Sequence, residues 1–143
     1  MALVWLGVFP PAHSRIMTNH IRAAVNMNQL EAAEKLYAAN NTAIGYTCEL
    51  GKLVGVRSGT KGEPELIDRV LETGKRNGYV FSVYDCKSDS AGKVLGYSLS
   101  AVPANHELGT YAFCADERGT VWYSSSGSVT ECFERKSPSN LAY

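Results

Sequence analysis

The feature that most constrains the fold is a long stretch near the start of the chain, residues 14–39, that contains neither proline nor glycine. At 1.5 Å per residue, a helix over this stretch would be about 39 Å long, which is long for a small domain. Asn40 and Asn41 suit the end of a helix because Asn tolerates the left-handed cap position. We therefore predict a helical spine over residues 12–41 that protrudes from its own domain.

Apolar residues recur along this stretch at the spacing of a helix face. The face comprises Ile21, Val25, Ala32 and Leu36, with Leu30, Ala33 and Tyr37 beside them. Charged residues interrupt it at Arg22, Glu31, Glu34 and Lys35. The pattern predicts a helix of moderate amphipathicity that packs on a core.

A glycine-rich loop over residues 42–62 separates this helix from the second half of the chain. A short second helix is expected from Glu63-Pro64-Glu65 to Gly74, because Pro suits the first turn and Gly the end. Its buried stripe would be formed by Leu66, Ile67, Val70 and Leu71.

The second half of the chain is typical of strands joined by short turns. Four apolar or alternating runs begin at Tyr79, Val94, Tyr111 and Thr120. The tail from Ser124 is rich in Ser, Gly and Pro and is expected to be irregular. The sequence predicts an α+β fold, with the long N-terminal helix packed on a four-stranded antiparallel sheet and a globular head over residues 42–143.

Composition excludes two classes of protein. Hydrophobic residues make up 45% of the 143 residues, which is enough to bury a core and argues against bulk disorder. Lys and Arg number 14, as do Asp and Glu, so the formal net charge is zero. A chain without a positive excess has no global attraction to a phosphate backbone, so we predict no nucleic-acid partner.

The four cysteines, at positions 48, 86, 114 and 132, contain no closely spaced pair of the kind that binds zinc. Two disulfides in an exported protein fit this pattern best, and four buried free thiols are the alternative. Four cysteines allow three pairings, and their spacing does not choose among them.

No arrangement of residues indicates catalysis, so we predict neither an enzyme nor a bound metal or cofactor. His13, His20 and His106 are scattered and are expected at the surface. The acidic pairs Glu63/Glu65 and Asp116/Glu117 fall at a helix start and a turn, where acids have structural roles. There is no phosphate-binding glycine loop and no nucleophile elbow.

The first residues form an apolar stub, residues 1–11, which ends in Pro10-Pro11. The apolar run is shorter than the roughly 20 residues that a membrane-spanning helix requires. It is either the end of a membrane segment or an apolar tail that docks on the core or on a partner. Its exposed large side chains would avoid water in either case. They are Leu3, Trp5, Leu6 and Phe9.

A series of short segments follows a characteristic order between residues 9 and 133. A Pro after an apolar stretch leads into an Arg-, Asn- and Ala-rich helix that ends at Tyr37, and then into Gly45-Tyr46-Thr47-Cys48. Gly74-Lys75-Arg76-Asn77-Gly78-Tyr79 and Phe113-Cys114-Ala115-Asp116 follow. This order resembles type IV pilins and the major pseudopilins of bacterial pilus and type II secretion systems.

The resemblance implies a structural subunit of an extracytoplasmic filament, with the long helix as its spine and a possible contact with the inner membrane. It also implies the pairings Cys48 with Cys86 and Cys114 with Cys132. The expected partners are other copies of the chain, packed through uncovered apolar residues of the stub and the helix. Those of the helix are Ile16, Met17, Ile21, Ala24 and Val25.

The Gly-Phe processing site of that family, with the apolar helix and Glu that follow it, does not occur in this sequence. Three explanations are open: the sequence is a fragment or starts at the wrong place, a companion pilin chain supplies the apolar helix, or this member is not processed. The alternative function is an exported monomeric module that recognises a ligand through loop 51–62 or tail 124–137.

Overall fold

The N-terminal helix is long and nearly matches the predicted spine. The computed structural model describes residues 12–54, 67 and 69–139, and in it helix α1 spans Ala12–Asn40. Asn41 terminates the helix: its side-chain amide donates to the carbonyl of Tyr37 at 2.9 Å. The carbonyl of Asn41 accepts hydrogen bonds from the backbone N–H groups of Ile44 and Gly45. The bond to Tyr37 satisfies one of the carbonyl groups that the last helical turn leaves open, and the other two continue the turn beyond the helix.

The sheet is antiparallel as predicted, but it has six strands rather than four, in the order β1-β2-β3-β4-β5-β6. The predicted strands are the four central ones, and the two additional strands lie at the edges. A strand of two residues is too short to show the alternation that reveals a strand in a sequence. The strands are β1 Lys75–Arg76, β2 Tyr79–Ser88, β3 Val94–Pro103, β4 Ala112–Asp116, β5 Trp122–Ser124 and β6 Ser137–Pro138.

A two-residue turn joins β1 to β2. Asn77 and Gly78 both have positive φ, 52° and 80°. This is the geometry of a type I′ turn, whose twist matches that of the flanking strands. The pair Asn77-Gly78 therefore fixes the register in which Arg76 faces Tyr79.

The main core lies between α1 and one face of the sheet. Side chains of a strand alternate between faces, so every second residue of β2, β3 and β4 points to α1. The sheet contributes Tyr79, Phe81, Tyr97, Leu99, Ala101, Phe113 and Ala115. Helix α1 contributes Ala23, Ala24, Met27, Leu30 and Ala33.

A smaller helix covers part of the opposite face of the sheet. Helix α3, Val129–Arg135, lies within the tail that the sequence indicated to be irregular. The Ser128 hydroxyl accepts from the N–H of Glu131 at 3.1 Å, which caps its start. Lys136 ends it in the left-handed conformation, with φ 51°. A second apolar cluster under α3 contains Cys114, Trp122 and Cys132.

Both disulfides implied by the resemblance are present. Cys48 is bonded to Cys86, which fastens the loop after α1 to strand β2. Cys114 is bonded to Cys132, which fastens α3 to strand β4. The disulfide prediction is therefore confirmed, including the pairing.

Two short helical segments lie between α1 and the sheet. Helix α2 spans Leu50–Leu53 and was not predicted. A 3₁₀ helix spans Arg69–Thr73 and ends at Gly74, whose φ is 82°, as the sequence indicated for the second helix. The expected start of that helix, at residues 63–65, lies outside the described residues. No helix in the described ranges has both the length and the apolar character needed to cross a membrane.

Candidate assembly surface on the N-terminal helix

Helix α1 carries apolar side chains on two opposite faces. The inner face packs on the sheet. The outer face carries five apolar residues at intervals of four or seven, which keeps them on one side of a helix with 3.6 residues per turn. We call this set the outer stripe: Met17, Ile21, Val25, Ala32 and Leu36.

The N-terminal part of the outer stripe is open to solvent. Met17 is 38% exposed and Ile21 is 39% exposed, which places both among the large exposed apolar residues of the described chain. Val25 and Leu36 are half-buried, and the small side chain of Ala32 is exposed. Apolar side chains at this spacing form a ridge that another helix can pack against.

The structure brings some of the predicted assembly residues together and separates others. Met17, Ile21 and Val25 lie on the outer stripe. Ile16 is half-buried and faces a groove instead, and Ala24 is fully buried in the core. The other four predicted residues lie outside the described part of the chain: Leu3, Trp5, Leu6 and Phe9.

The groove beside Ile16 has a volume of about 410 Å³ and separates α1 from the loop after β3. Leu108 and Glu107 line its far wall, and Arg15 and Arg22 line the helix side. The side-chain amide of Asn19 donates to the carbonyl of Leu108 at 2.9 Å and closes its floor. Leu108 was not among the predicted residues, because nothing local in the sequence links this loop to a helix about 90 residues earlier.

A second exposed apolar pair lies at the other end of α1. Ile44 is 51% exposed and Leu95 is 52% exposed. Val94, which is adjacent to Leu95, donates its backbone N–H to the carbonyl of Ile44 at 2.9 Å, so Ile44 and Leu95 lie close together. We call Ile44 and Leu95 the end pair. The helix between Met17 and Asn40 spans about 35 Å at 1.5 Å per residue, so the end pair is distant from Met17 and Ile21.

His20 attaches the first half of α1 to the head and is not at the surface, where the sequence indicated it. It is 2% exposed, and its ring stacks on Tyr111 with centroids 4.2 Å apart. Its Nε2 atom accepts from the backbone N–H of Thr110 at 2.9 Å. Burial lowers the pKa of His20, which favours the neutral ring that this bond requires.

Glu31 and Glu34 attach the second half of α1 to the head. Glu31 is 4% exposed and Glu34 is fully buried, although charged residues were expected to interrupt the buried face. Helical spacing contained the signal: Glu31 lies four residues after Met27, and Glu34 lies four residues after Leu30, and both Met27 and Leu30 are core residues. A carboxylate within an apolar pattern is usually solvent-exposed, so the pattern alone did not predict that Glu31 and Glu34 are buried.

The described residues show no arrangement typical of metal binding, since no three His, Cys, Asp or Glu side chains among them could hold one ion.

Tail residues Ser125 and Ser126 line a hollow of about 240 Å³ together with Thr110 and His106. Loop 51–62, the other predicted recognition segment, lies largely outside the described residues. Among the described residues, the outer stripe is therefore the surface that gives the clearest indication of a binding partner.

No family model, no curated protein and no solved structure matches the chain.

Proposed function

We propose that this protein is a structural subunit of an extracytoplasmic pilus or pseudopilus filament and that it assembles through α1. The observation that carries the proposal is the outer stripe on a helix whose opposite face already fills the core. Apolar side chains at helical spacing on a solvent-exposed face are typical of helices that pack against a partner. The partner is another copy of the chain or a companion pilin chain.

The position of the end pair supports a filament rather than a closed dimer. The exposed part of the outer stripe, Met17 and Ile21, and the end pair are different surfaces at opposite ends of the helix. A contact between two different surfaces is heterologous, and a heterologous contact repeats into an open helical polymer unless its rotation closes a ring. We therefore expect successive copies to be related by a rise along α1.

The two disulfides support the proposed extracytoplasmic location. Disulfides persist in oxidising compartments and are rare in the cytosol. Their presence indicates that the folded head resides outside the cytoplasm, as the proposed filament requires.

The test is assembly of the purified oxidised chain, followed by sedimentation and negative-stain microscopy. We expect concentration-dependent oligomers or thin filaments from the unmodified chain. The double variant Met17→Asp/Ile21→Asp places two charges on the outer stripe and should reduce assembly at least about tenfold, because burying an unpaired carboxylate is unfavourable.

The matched control is Thr130→Asp, which adds a charge at an exposed position on α3, on the opposite side of the sheet. It should assemble like the unmodified chain, and circular dichroism should show that all variants are folded. A chain that stays monomeric at every concentration, or a Met17→Asp/Ile21→Asp variant that assembles normally, would contradict the proposal. The first of these results would favour the monomeric binding module.

A further inference from the structure

Two carboxyl groups lie inside the core on successive turns of α1 and reach two different parts of the head. Glu31 Oε1 accepts a hydrogen bond from the hydroxyl of Tyr97 in β3 at 2.9 Å. Glu34 Oε1 accepts from the backbone N–H of Thr47 at 2.9 Å. Thr47 precedes Cys48, whose disulfide fastens the same loop to β2. The two glutamates therefore join the helix both to the sheet and to the loop that follows it.

In each carboxyl group, only one of the two oxygens has a hydrogen-bond partner. Within the described residues, the buried Oε2 atoms of Glu31 and Glu34 have no hydrogen-bond partner. An ionised carboxylate in this position would place charge on a buried oxygen that has no donor among the described residues. A neutral carboxyl group avoids that cost and keeps the observed bonds through its other oxygen.

The charged and titratable groups around the pair do not remove this cost. Asp116 and Glu117, at the end of β4 and the following turn, disfavour ionisation of Glu31, and Glu31 disfavours that of Glu34. Lys35 favours ionised Glu31 but is itself exposed. Burial also raises the pKa values of Tyr46 and Tyr97, so both phenols stay neutral at physiological pH.

Burial raises the pKa of Glu31 to about 7 and that of Glu34 to about 7, and the bonds from Tyr97 and Thr47 offset only part of this effect. The folded chain therefore binds protons that the unfolded chain has released. The stability that these protons contribute is full below the ordinary pKa of Glu, 4.5, and is lost as the pH rises through about 7.

We propose that Glu31 and Glu34 form a proton-dependent clasp: protonated, they hold the C-terminal half of α1 to β3 and to the loop around Thr47, and ionised, they loosen both attachments. The clasp belongs to the single chain and does not depend on assembly. It would nevertheless influence assembly, because Ala32 and Leu36 of the outer stripe lie on the same turns of the helix.

The test is urea unfolding of the oxidised chain between about pH 5 and about pH 8, compared with the double variant Glu31→Gln/Glu34→Gln, whose amides mimic neutral carboxyls. In the unmodified chain, the folding equilibrium constant should fall about 10- to 100-fold per carboxyl over this range. The double variant should lose this fall and should be the more stable chain at the higher pH. His20 acts in the opposite direction in both chains, because burial lowers its pKa, so the difference between the chains isolates the glutamates.

The matched control is Glu134→Gln, at an exposed position on α3, which should keep the full pH dependence. The proposal fails if the double variant shows the same dependence as the unmodified chain. If the double variant does not fold, the side-chain carbon resonances of Glu31 and Glu34 in the unmodified chain decide. Titration midpoints near 7 support the clasp, and midpoints near 4.5 overturn it.

Discussion

Gly45 occupies a backbone position that only glycine fits. Its φ is 82°, in the left-handed region, and a Cβ atom there would collide with the carbonyl oxygen of Val94. This close approach allows the backbone N–H of Tyr46 to donate to the carbonyl of Val94 at 3.1 Å, which holds the loop after α1 against β3. Two independent constraints, the positive φ and the contact, therefore act on the same residue.

A pair of alanine substitutions separates these two constraints. Gly92 also has a positive φ, 88°, but has open space where a Cβ would lie. We expect Gly92→Ala to reduce the free energy of unfolding by about 1 kcal/mol, from backbone strain alone. Gly45→Ala should cost at least about 2 kcal/mol more, because Val94 must also move. Urea unfolding of the two variants measures the difference, and equal losses would show that the contact with Val94 is unimportant.

The sequence was least informative about single residues, namely about which side chains of α1 face the core. The helical spacing of α1 was clear, but the same spacing is compatible with either apolar face as the inner one. The face that sequence analysis identified, which includes Ile21 and Leu36, is the outer stripe, and the true inner face includes Glu31 and Glu34. The choice depends on residues such as Tyr97 and Thr47, whose proximity is created only by the tertiary fold.

At the scale of elements, long regular segments were predictable and short ones were not. The central strands show alternation, and Asn77-Gly78 shows the turn before β2. Strands β1 and β6 form because a neighbouring strand offers unpaired backbone groups, which their own residues do not reveal. Helix α3 did have a local signal, Ser128 followed by Glu131 three residues later, but the Ser- and Gly-rich surroundings obscured it.

The two disulfides staple different elements and should differ in reactivity. Cys48 is exposed and Cys86 is half-buried, whereas Cys114 and Cys132 are fully buried between β4 and α3. A thiolate must reach a sulfur atom to reduce a disulfide, so exposure controls the rate. We expect a mild thiol reductant to open Cys48–Cys86 at least about tenfold faster than Cys114–Cys132.

Timed alkylation and peptide mass spectrometry measure both rates in one sample. Cys114–Cys132 serves as the internal control because both bonds meet the same reductant. Equal rates would mean that α3 opens readily and does not protect the bond beneath it. Release of Cys114–Cys132 before Cys48–Cys86 would contradict the burial argument altogether.

At the scale of the whole molecule, the absence of a net charge bears on how copies would associate. Contacts between apolar side chains are not screened by salt, whereas contacts between charged groups are. If assembly uses the outer stripe, oligomers formed at low ionic strength should persist, or increase, in about 1 M NaCl. Sedimentation at the two salt concentrations measures this. Dissociation by salt would point instead to the arginines of the groove beside Ile16.

The order of the strands has a consequence for how the molecule forms. Every strand pairs with the strand next to it in the sequence, so each step of sheet formation closes only a short loop. Topologies built from such local pairings fold quickly, by extension from one hairpin to the next. Helix α1 precedes the sheet in the chain, but the strands that it packs on, β3 and β4, pair with each other only later in the sequence. We therefore expect its inner face, with both buried glutamates, to remain hydrated until the sheet beneath it is complete.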